Sequence, residues 1–430
     1  MEGTRVLKFG GTSLATPDLL RAAAARVAAF RRTGVPVAVV VSAMGHATDE
    51  LVTLATQVAG PRPTPRELDV LLATGEQASA ALMAMALRNL AVDAVSVVGS
   101  RIGIVADSRH GHATIRRVDA SEVLATLDRG GVPVIAGFQA VDAHGDLVTL
   151  GRGGSDTTAV ALAAAIRDHE RPGQVARCEI FTDVDGIHAA DPRAFPAASP
   201  IETISASAML QLARAGAQVM HSPAVALALA ANVEITVSRA HPGPDPGHGT
   251  RIVASVTEES GPVAVGVLVD RHRIRLDSRQ PFGRVLDDTR TELGRCGITS
   301  LLDRSSGGLI VAAQDSAQAT ELLRGLAGNA TILVESDWTL VSLVGLESER
   351  CSGIDVEPPT GWWDGTPATA WWLVRSPEAF AFGQRLLDGI AANASPQGDP
   401  TQRNGDYETL DREEGAPAEP AAARADTITS

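Results

Sequence analysis

The chain has 430 residues, 44% of them hydrophobic and 20% charged, and carries a formal net charge of −14. That length predicts two or three folded units with ample apolar surface. The acidic balance, without a sustained Lys/Arg cluster, argues against nucleic acid as a partner but leaves room for a small anionic ligand. Its three cysteines are widely spaced with no CxxC pair, which argues against a disulfide framework or zinc site and fits a reducing cytoplasm.

Met1 leads straight into a strand-like run at residues 5–9, with no charged and apolar leader, so no signal peptide is expected. In chain order, Val/Ile-rich runs predict strands at 6–9, 37–41, 94–98, 132–136, 179–182 and 233–238. Stretches of helical period between them predict helices at 17–32, 65–89, 120–129, 156–168 and 205–213. The Ala-rich stretch 78–90 is too short to cross a bilayer, and no membrane partner is expected. Apolar strands alternating with helices imply an α/β sandwich with a mostly parallel sheet. The HPGPDPGHGT run at 241–250 reads as a linker. Beyond it, strands at 263–269, 274–276, 308–313 and 339–344, with helices at 281–296 and 316–326, predict a small α+β region. Residues 263–326 and 338–391 read as two related small modules, and the polar segment from 391 onward as disordered.

Two glycine-rich turns carry the chemistry. Lys8-Phe9-Gly10-Gly11-Thr12-Ser13 follows the first strand and precedes a helix. Its glycines let backbone approach a phosphate, and Lys8 supplies a point charge. A tight turn capped by Thr12 or Ser13 explains the segment equally well, and the Walker spacing is absent. Gly151-Arg152-Gly153-Gly154-Ser155-Asp156 opens a long Ala-rich helix, with Arg152 able to pair bidentately with a carboxylate. An N-cap with flexible approach residues is the alternative there. The pair of loops together points to phosphoryl chemistry. Thr182-Asp183-Val184-Asp185-Gly186 closes a strand, where carboxylates could order a lysine or face Mg²⁺ or a ribose, although an Asp-Gly turn explains the spacing. Glu76 stands beside Gly75 on the long helix, where it could hold an amine or face solvent. His46, His188 and His221 are scattered singly, without metal-ligand spacing.

Together, VLKFGGTSL, VVVSAMGHATDEL, RELDVLLATGEQ, VIAGFQAVDAHGDLVTLGRGGSDTTAVALAAAI, IFTDVDGIHAADPR and GAQVMHSPAV resemble, in order, the amino acid kinase family and within it the aspartate kinases. The resemblance covers residues 5 to about 252. It implies a three-layer α/β/α sandwich with a mainly parallel eight-stranded sheet, followed by an α+β ACT-like region. It implies ATP-dependent phosphorylation of the side-chain carboxylate of aspartate or a substituted aspartate, with Mg²⁺. By position, Lys8 would neutralise charge on the transferred phosphoryl group and Asp156 would hold Lys8. Ser42, Thr48, Glu76, Arg152, Gly153 and Ser155 would hold the amino acid, with Glu76 on its ammonium and Arg152 on its α-carboxylate. Lys8, Gly10, Gly11, Thr12, Ser13, Thr182, Asp183, His188, Arg193 and Gln218 would line the ATP site.

The sequence departs from that pattern in places. Gln218 stands where many members carry a lysine, His188 where a tyrosine is common, and Asp49 follows Thr48 in place of asparagine. An added negative charge at Asp49 would shift preference away from plain aspartate, unless its side chain faces solvent. The resemblance implies a catalytic unit over 1–252, an ACT-like module over 253–335, a degenerate second one over 336–392 and a tail over 393–430. ACT modules pair edge to edge, so a homodimer or larger homo-oligomer is expected. The Trp362-Trp363 and Trp371-Trp372 pairs read as core filling or a subunit contact. A non-catalytic homologue that binds amino acid or nucleotide and regulates a partner is the competing class. A sister kinase acting on glutamate, acetylglutamate or a carbamate is a third, opposed by the RELD and TGEQ segments.

Overall fold

The first two strands have no polar face. β2 (Val37–Val41) is a run of valine and alanine and β1 (Arg5–Phe9) breaks its apolar run with Arg5 and Lys8, yet both are buried almost throughout. Such strands are stable only at the centre of a sheet covered on both sides. Between them, α1 (Pro17–Arg32) buries Leu20, Ala23, Ala24, Val27 and Ala28 at helical spacing. Its N-cap is Thr16, whose side chain accepts a hydrogen bond from the Leu19 N–H, with Pro17 at the first helical position. The segment Thr12–Leu14 forms a separate helical turn ahead of α1, so Thr12 and Ser13 do not cap that helix.

The computed structural model describes residues 3–170, 175–214, 219–241, 249–255, 264–277, 283–295, 298, 300–303, 308–327, 330–344 and 369–394. The expected tail beyond residue 394, the Trp362-Trp363 pair and Gln218 lie outside the described residues, whereas 391–394, read as disordered, are helical. After β2 come α2 (Ala47–Ala59), α3 (Pro65–Asn89), β3 (Ala94–Val97), β4 (Ile104–Ala106) and β5 (Ile115–Val118). Then follow α4 (Ser121–Asp128), β6 (Val132–Ala136), β7 (Gln139–Val141), β8 (Leu147–Thr149), α5 (Gly154–Glu170) and β9 (Ala176–Thr182). β10 (Ile187–His188), β11 (Pro200–Ile201), β12 (Thr203–Ser205), α6 (Ala206–Arg214), α7 (Ser222–Ala231), β13 (Val233–Arg239) and β14 (Thr250–Val253) complete this part.

Eight strands form one sheet in the order β12-β14-β13-β9-β1-β2-β6-β3. Every pairing is parallel except β13 with β14, which is antiparallel. This is the mainly parallel eight-stranded α/β fold that the motifs imply. A second, four-stranded sheet, β5-β4-β7-β8, carries the loops that precede the second glycine-rich turn. Because β14 begins at Thr250, the stretch read as a linker ends inside the main sheet.

α3 is 25 residues long, twice the stretch first weighed for a membrane, and by length and composition alone could cross one. Half of its most apolar window is instead buried within this chain, together with the carboxylates of Asp69 and Glu76.

The C-terminal region is one five-stranded sheet, ordered β16-β17-β15-β18-β19. Its members are β15 (Ala264–Asp277), β16 (Ser300–Asp303), β17 (Gly308–Ala312), β18 (Thr331–Val344) and β19 (Thr369–Arg375), flanked by α8 (Gly283–Arg295), α9 (Ser316–Ala327) and α10 (Ser376–Ala394). Where two short strands were expected at 263–276, a single 14-residue β15 runs through. It shifts register against β18 around Arg271, and Asp270 and Asp337 take positive φ values of 52° and 62° there. A β-bulge absorbs the extra residues and bends the strand pair, which is why the sequence reads as two pieces. Each side of the bend has its own core, one around Ile274, Leu293 and Leu323, the other around Val341, Leu343 and Leu386. β18 also runs through residue 335, where the first module was expected to end. Trp372 packs edge-on against Phe382 at 5.3 Å in the second core, as core filling requires.

Candidate active site

The main sheet switches direction at β1, with β2 on one side and β9 on the other. Loops leaving neighbouring strands at such a point diverge and open a crevice beyond the strand C-termini. Backbone hydrogen bonds clip these loops into a row. The Gly10 N–H donates to the Phe181 carbonyl (3.0 Å), Ser42 to Phe9 (3.1 Å), Gly45 to Gly11 (2.9 Å) and Gly137 to Val41 (3.0 Å). The Gly10 N–H is therefore committed to β9 and not free for a phosphate. A Cβ at Gly10 would sit 3.7 Å from Lys8 Nζ, and one at Gly11 would strike the Ala43 carbonyl at 2.6 Å. Gly11 therefore serves close approach of the loop after β2, whereas a Cβ at Gly10 would make ordinary contact with Lys8.

Lys8 points out of the central strand and is only 8% exposed, and Asp156 is 5% exposed. Their charged atoms, Nζ and Oδ1, are 2.6 Å apart. Asp156 lies in the first turn of α5, so the pair ties the phosphate-type loop to the second glycine-rich loop. A buried ion pair of this kind costs desolvation and is weak evidence of stability, which turns attention to function.

Glu76 approaches from α3. Its Oε1 accepts the Ala43 N–H at 3.0 Å, and its buried Oε2 has no partner among the described residues. Gly75 permits this, because a Cβ there would lie 2.8 Å from that of Ala43. Burial raises the Glu76 carboxyl from 4.5 to about 7, against the opposing pull of the Ala43 and Glu76 N–H groups and the Lys8 charge. Ser13 likewise buries a hydroxyl without a partner, while its carbonyl lies 3.0 Å from His241 Nε2.

The second loop turns on Gly151 (φ 74°) and Gly153 (φ 71°), with exposed Arg152 between them and buried Ser155 after. Ser42 and Thr48 sit half-buried on the neighbouring loop and first turn of α2. Asp49 faces solvent beside His46, 3.5 Å away with both side chains more than four-fifths exposed, and so adds no charge to the crevice. Beyond β9, the Thr182 hydroxyl donates to Asp183 (3.0 Å), and half-buried His188 lies on β10. Arg193 is exposed and held bidentately by Asp191 at 3.0 and 2.8 Å, so a ligand must share or replace that carboxylate.

Two residues with no assigned role join the site. His221 caps α7 and packs its ring over Gly153, where a Cβ would come within 2.4 Å of it. Burial pulls its imidazole below the usual range, Arg152 and Lys8 add to this, and Asp156 opposes it. Phe138 adopts φ 69°, unusual for a bulky residue, with its N–H on Thr158 Oγ1 (3.2 Å) over the start of α5. Both lie inside segments that carry the family resemblance, yet a lone histidine or phenylalanine has no periodic signal that would have marked its role.

Residues 3–238 match the model of the amino acid kinase family, and the chain belongs to that family. It is 43% identical over 276 residues to an aspartokinase of Pseudomonas aeruginosa, a match spanning 64% of each chain and so less than two thirds of that relative. It is 37% identical over 351 residues to an aspartokinase of Bacillus sp. strain MGA3, spanning 81% of this chain and 82% of the relative. Among solved structures, E. coli aspartokinase III in complex with aspartate and ADP shares the fold with a TM-score of 0.72. Its identity is 23%, covering 91% of this chain and all of that one.

Proposed function

We propose that the chain is an ATP-dependent aspartate kinase acting in amino acid biosynthesis, moving the γ-phosphoryl group of ATP onto the side-chain carboxylate of L-aspartate. The observation that carries this reading is the buried Lys8–Asp156 pair beside Glu76, whose buried Oε2 lacks a partner among the described residues. A desolvated lysine held by a carboxylate at the strand end suits stabilisation of charge on a transferred group. Solvent-facing Asp49 removes the ground for preferring a substituted aspartate.

The acceptor is already an anion, so no general base is needed. A carboxylate oxygen bonds to the γ-phosphorus, the bond from that phosphorus to the β–γ bridging oxygen breaks, and the electron pair leaves with ADP. Lys8 neutralises charge on the transferred group and Asp156 keeps Lys8 aimed, so catalysis is alignment and electrostatics. Glu76 receives the ammonium on Oε2 and Arg152 the α-carboxylate, with Ser42, Thr48, Gly153 and Ser155 shaping the pocket. Gly10, Gly11, Thr12, Ser13, Thr182, Asp183, His188, Arg193 and Gln218 form the nucleotide side. Mg²⁺ binds through one or two carboxylates plus substrate phosphates, and exposed Asp183 at the strand end fits that donor set. Bound there, it would neutralise phosphate charge.

Residues 1–252 form the catalytic unit, and the regulatory-type modules expected over 253–335 and 336–392 share β15 and β18, which run through both halves of one sheet. The half of β18 at 331–337 pairs with β15 on one side and, among the described residues, with no strand on the other. Leu333 and Val334 are 39% and 46% exposed there, which supports a homodimer or larger homo-oligomer joined through this region. Cys178 is buried and free, consistent with a cytoplasmic protein. The functional test offers purified chain, Mg·ATP and a panel of acidic amino acids, and traps acyl phosphate with hydroxylamine. Hydroxamate from aspartate is expected, and none from any acid, with ligand binding intact, would favour the regulatory class.

A further inference from the structure

α3 buries two carboxylates on one face. Asp69 and Glu76 are seven residues apart, two turns and about 10 Å along the helix axis. Glu76 is explained by the substrate ammonium, whereas Asp69, 1% exposed, has no part in the chemistry above. It is nonetheless fully engaged. Oδ1 accepts the Thr149 hydroxyl at 2.5 Å, the Gly111 N–H lies 3.1 Å from both oxygens, and His110 Nδ1 is 2.8 Å from Oδ2.

These partners come from two places that meet at the second glycine-rich turn. His110 and Gly111 belong to the loop between β4 and β5, and Thr149 is the last residue of β8. The Ala113 N–H donates to the Thr149 carbonyl at 2.9 Å, closing the loop along the strand. Two residues beyond Thr149, Gly151 turns with φ 74° against that same loop. A Cβ there would lie 3.0 Å from the Gly111 carbonyl and from His112 Nδ1. Arg152 follows directly. A carboxylate is costly to bury unless its partners saturate it, and here the partners are the parts that seat this turn.

We propose that Asp69 is the positioning residue for the α-carboxylate of aspartate: from α3 it fixes the 109–112 loop and the end of β8, and through them the turn presenting Arg152. One helix thereby sets both ends of the amino acid, Glu76 at the ammonium by contact and Asp69 at the carboxylate through Arg152. The inference rests on the aspartate kinase reading of the site.

Steady-state kinetics of Asp69→Asn, Thr149→Val and Thr149→Ser in the full chain, alongside thermal melts, test it. Asp69→Asn and Thr149→Val are expected to raise the KM for aspartate about tenfold or more, because the first removes the buried charge that gathers these donors and the second removes a hydroxyl that donates to it. The KM for ATP should stay within about twofold, because the nucleotide side does not touch this network. Thr149→Ser keeps the hydroxyl and should remain near wild type, which a merely structural role for the position would not require. If the KM values for both substrates move together with the melting temperature, or if Thr149→Val behaves like Thr149→Ser, the proposal is overturned. Should Asp69→Asn fail to fold, the two Thr149 variants decide alone. A wild-type chain that makes no acyl phosphate from aspartate would overturn the functional reading and this proposal with it, whereas active variants with unchanged aspartate KM would overturn the proposal alone.

Discussion

At Glu76 the needs of binding and of stability oppose each other. Between 4.5 and about 7 the folded chain holds a proton that the unfolded chain has lost, so this group's contribution to stability falls as pH rises through that window. At about 1.4 kcal/mol per unit, the shift amounts to about 3 kcal/mol at pH 8. Glu76→Gln should therefore stabilise the substrate-free chain markedly at pH 8 and little near pH 5 in denaturant titrations, while losing affinity for aspartate. An equal gain at both pH values would contradict the buried-charge account. Motif residues such as Lys8, Asp156 and Glu76 were legible in the sequence because glycines close by, in turns or within the helix, flag them. Their burial was not, since exposure depends on which distant loop closes over them, here Ala43 on Glu76.

The loops act together because strands deliver them in a row and glycines let them touch. Gly153 combines φ 71° with a Cβ position 2.4 Å from the His221 ring, so Gly153→Ala meets both backbone strain and a clash. The expected result is a raised KM for aspartate and a melting point lowered by a few degrees, corresponding to about 1–3 kcal/mol. Wild-type values for both would show that the loop does not need this conformation. Long, strongly periodic elements such as α1 and α3 were readable to the residue, since capping and apolar spacing agree. The three- and four-residue strands of the small sheet were not, because so short a run has no measurable period, and α2, which buries no residue fully, was missed as well.

Across the whole described molecule, the C-terminal sheet reaches the segment proposed to line the nucleotide. The core around Val341, Leu343 and Leu386 includes Ala189, Ala190, Phe195 and Ala198 from the segment that bears His188 and Arg193. Val265 donates its N–H to the Ala189 carbonyl, and a Cβ at Gly383 of α10 would lie 2.9 Å from the Phe195 ring. Gly383→Ala should push Phe195 and raise the KM for ATP more than that for aspartate in the same kinetic assay; a change confined to aspartate would contradict this coupling. The sequence showed a small α+β region but not this contact, because packing between distant segments leaves no local pattern. The most direct test of the central claim compares hydroxamate formation from aspartate and Mg·ATP by wild type and Lys8→Ala. The account predicts robust product from wild type and a turnover lowered by about a hundredfold or more in Lys8→Ala, with substrate binding weakened far less. A Lys8→Ala variant that retains most of its activity would contradict it.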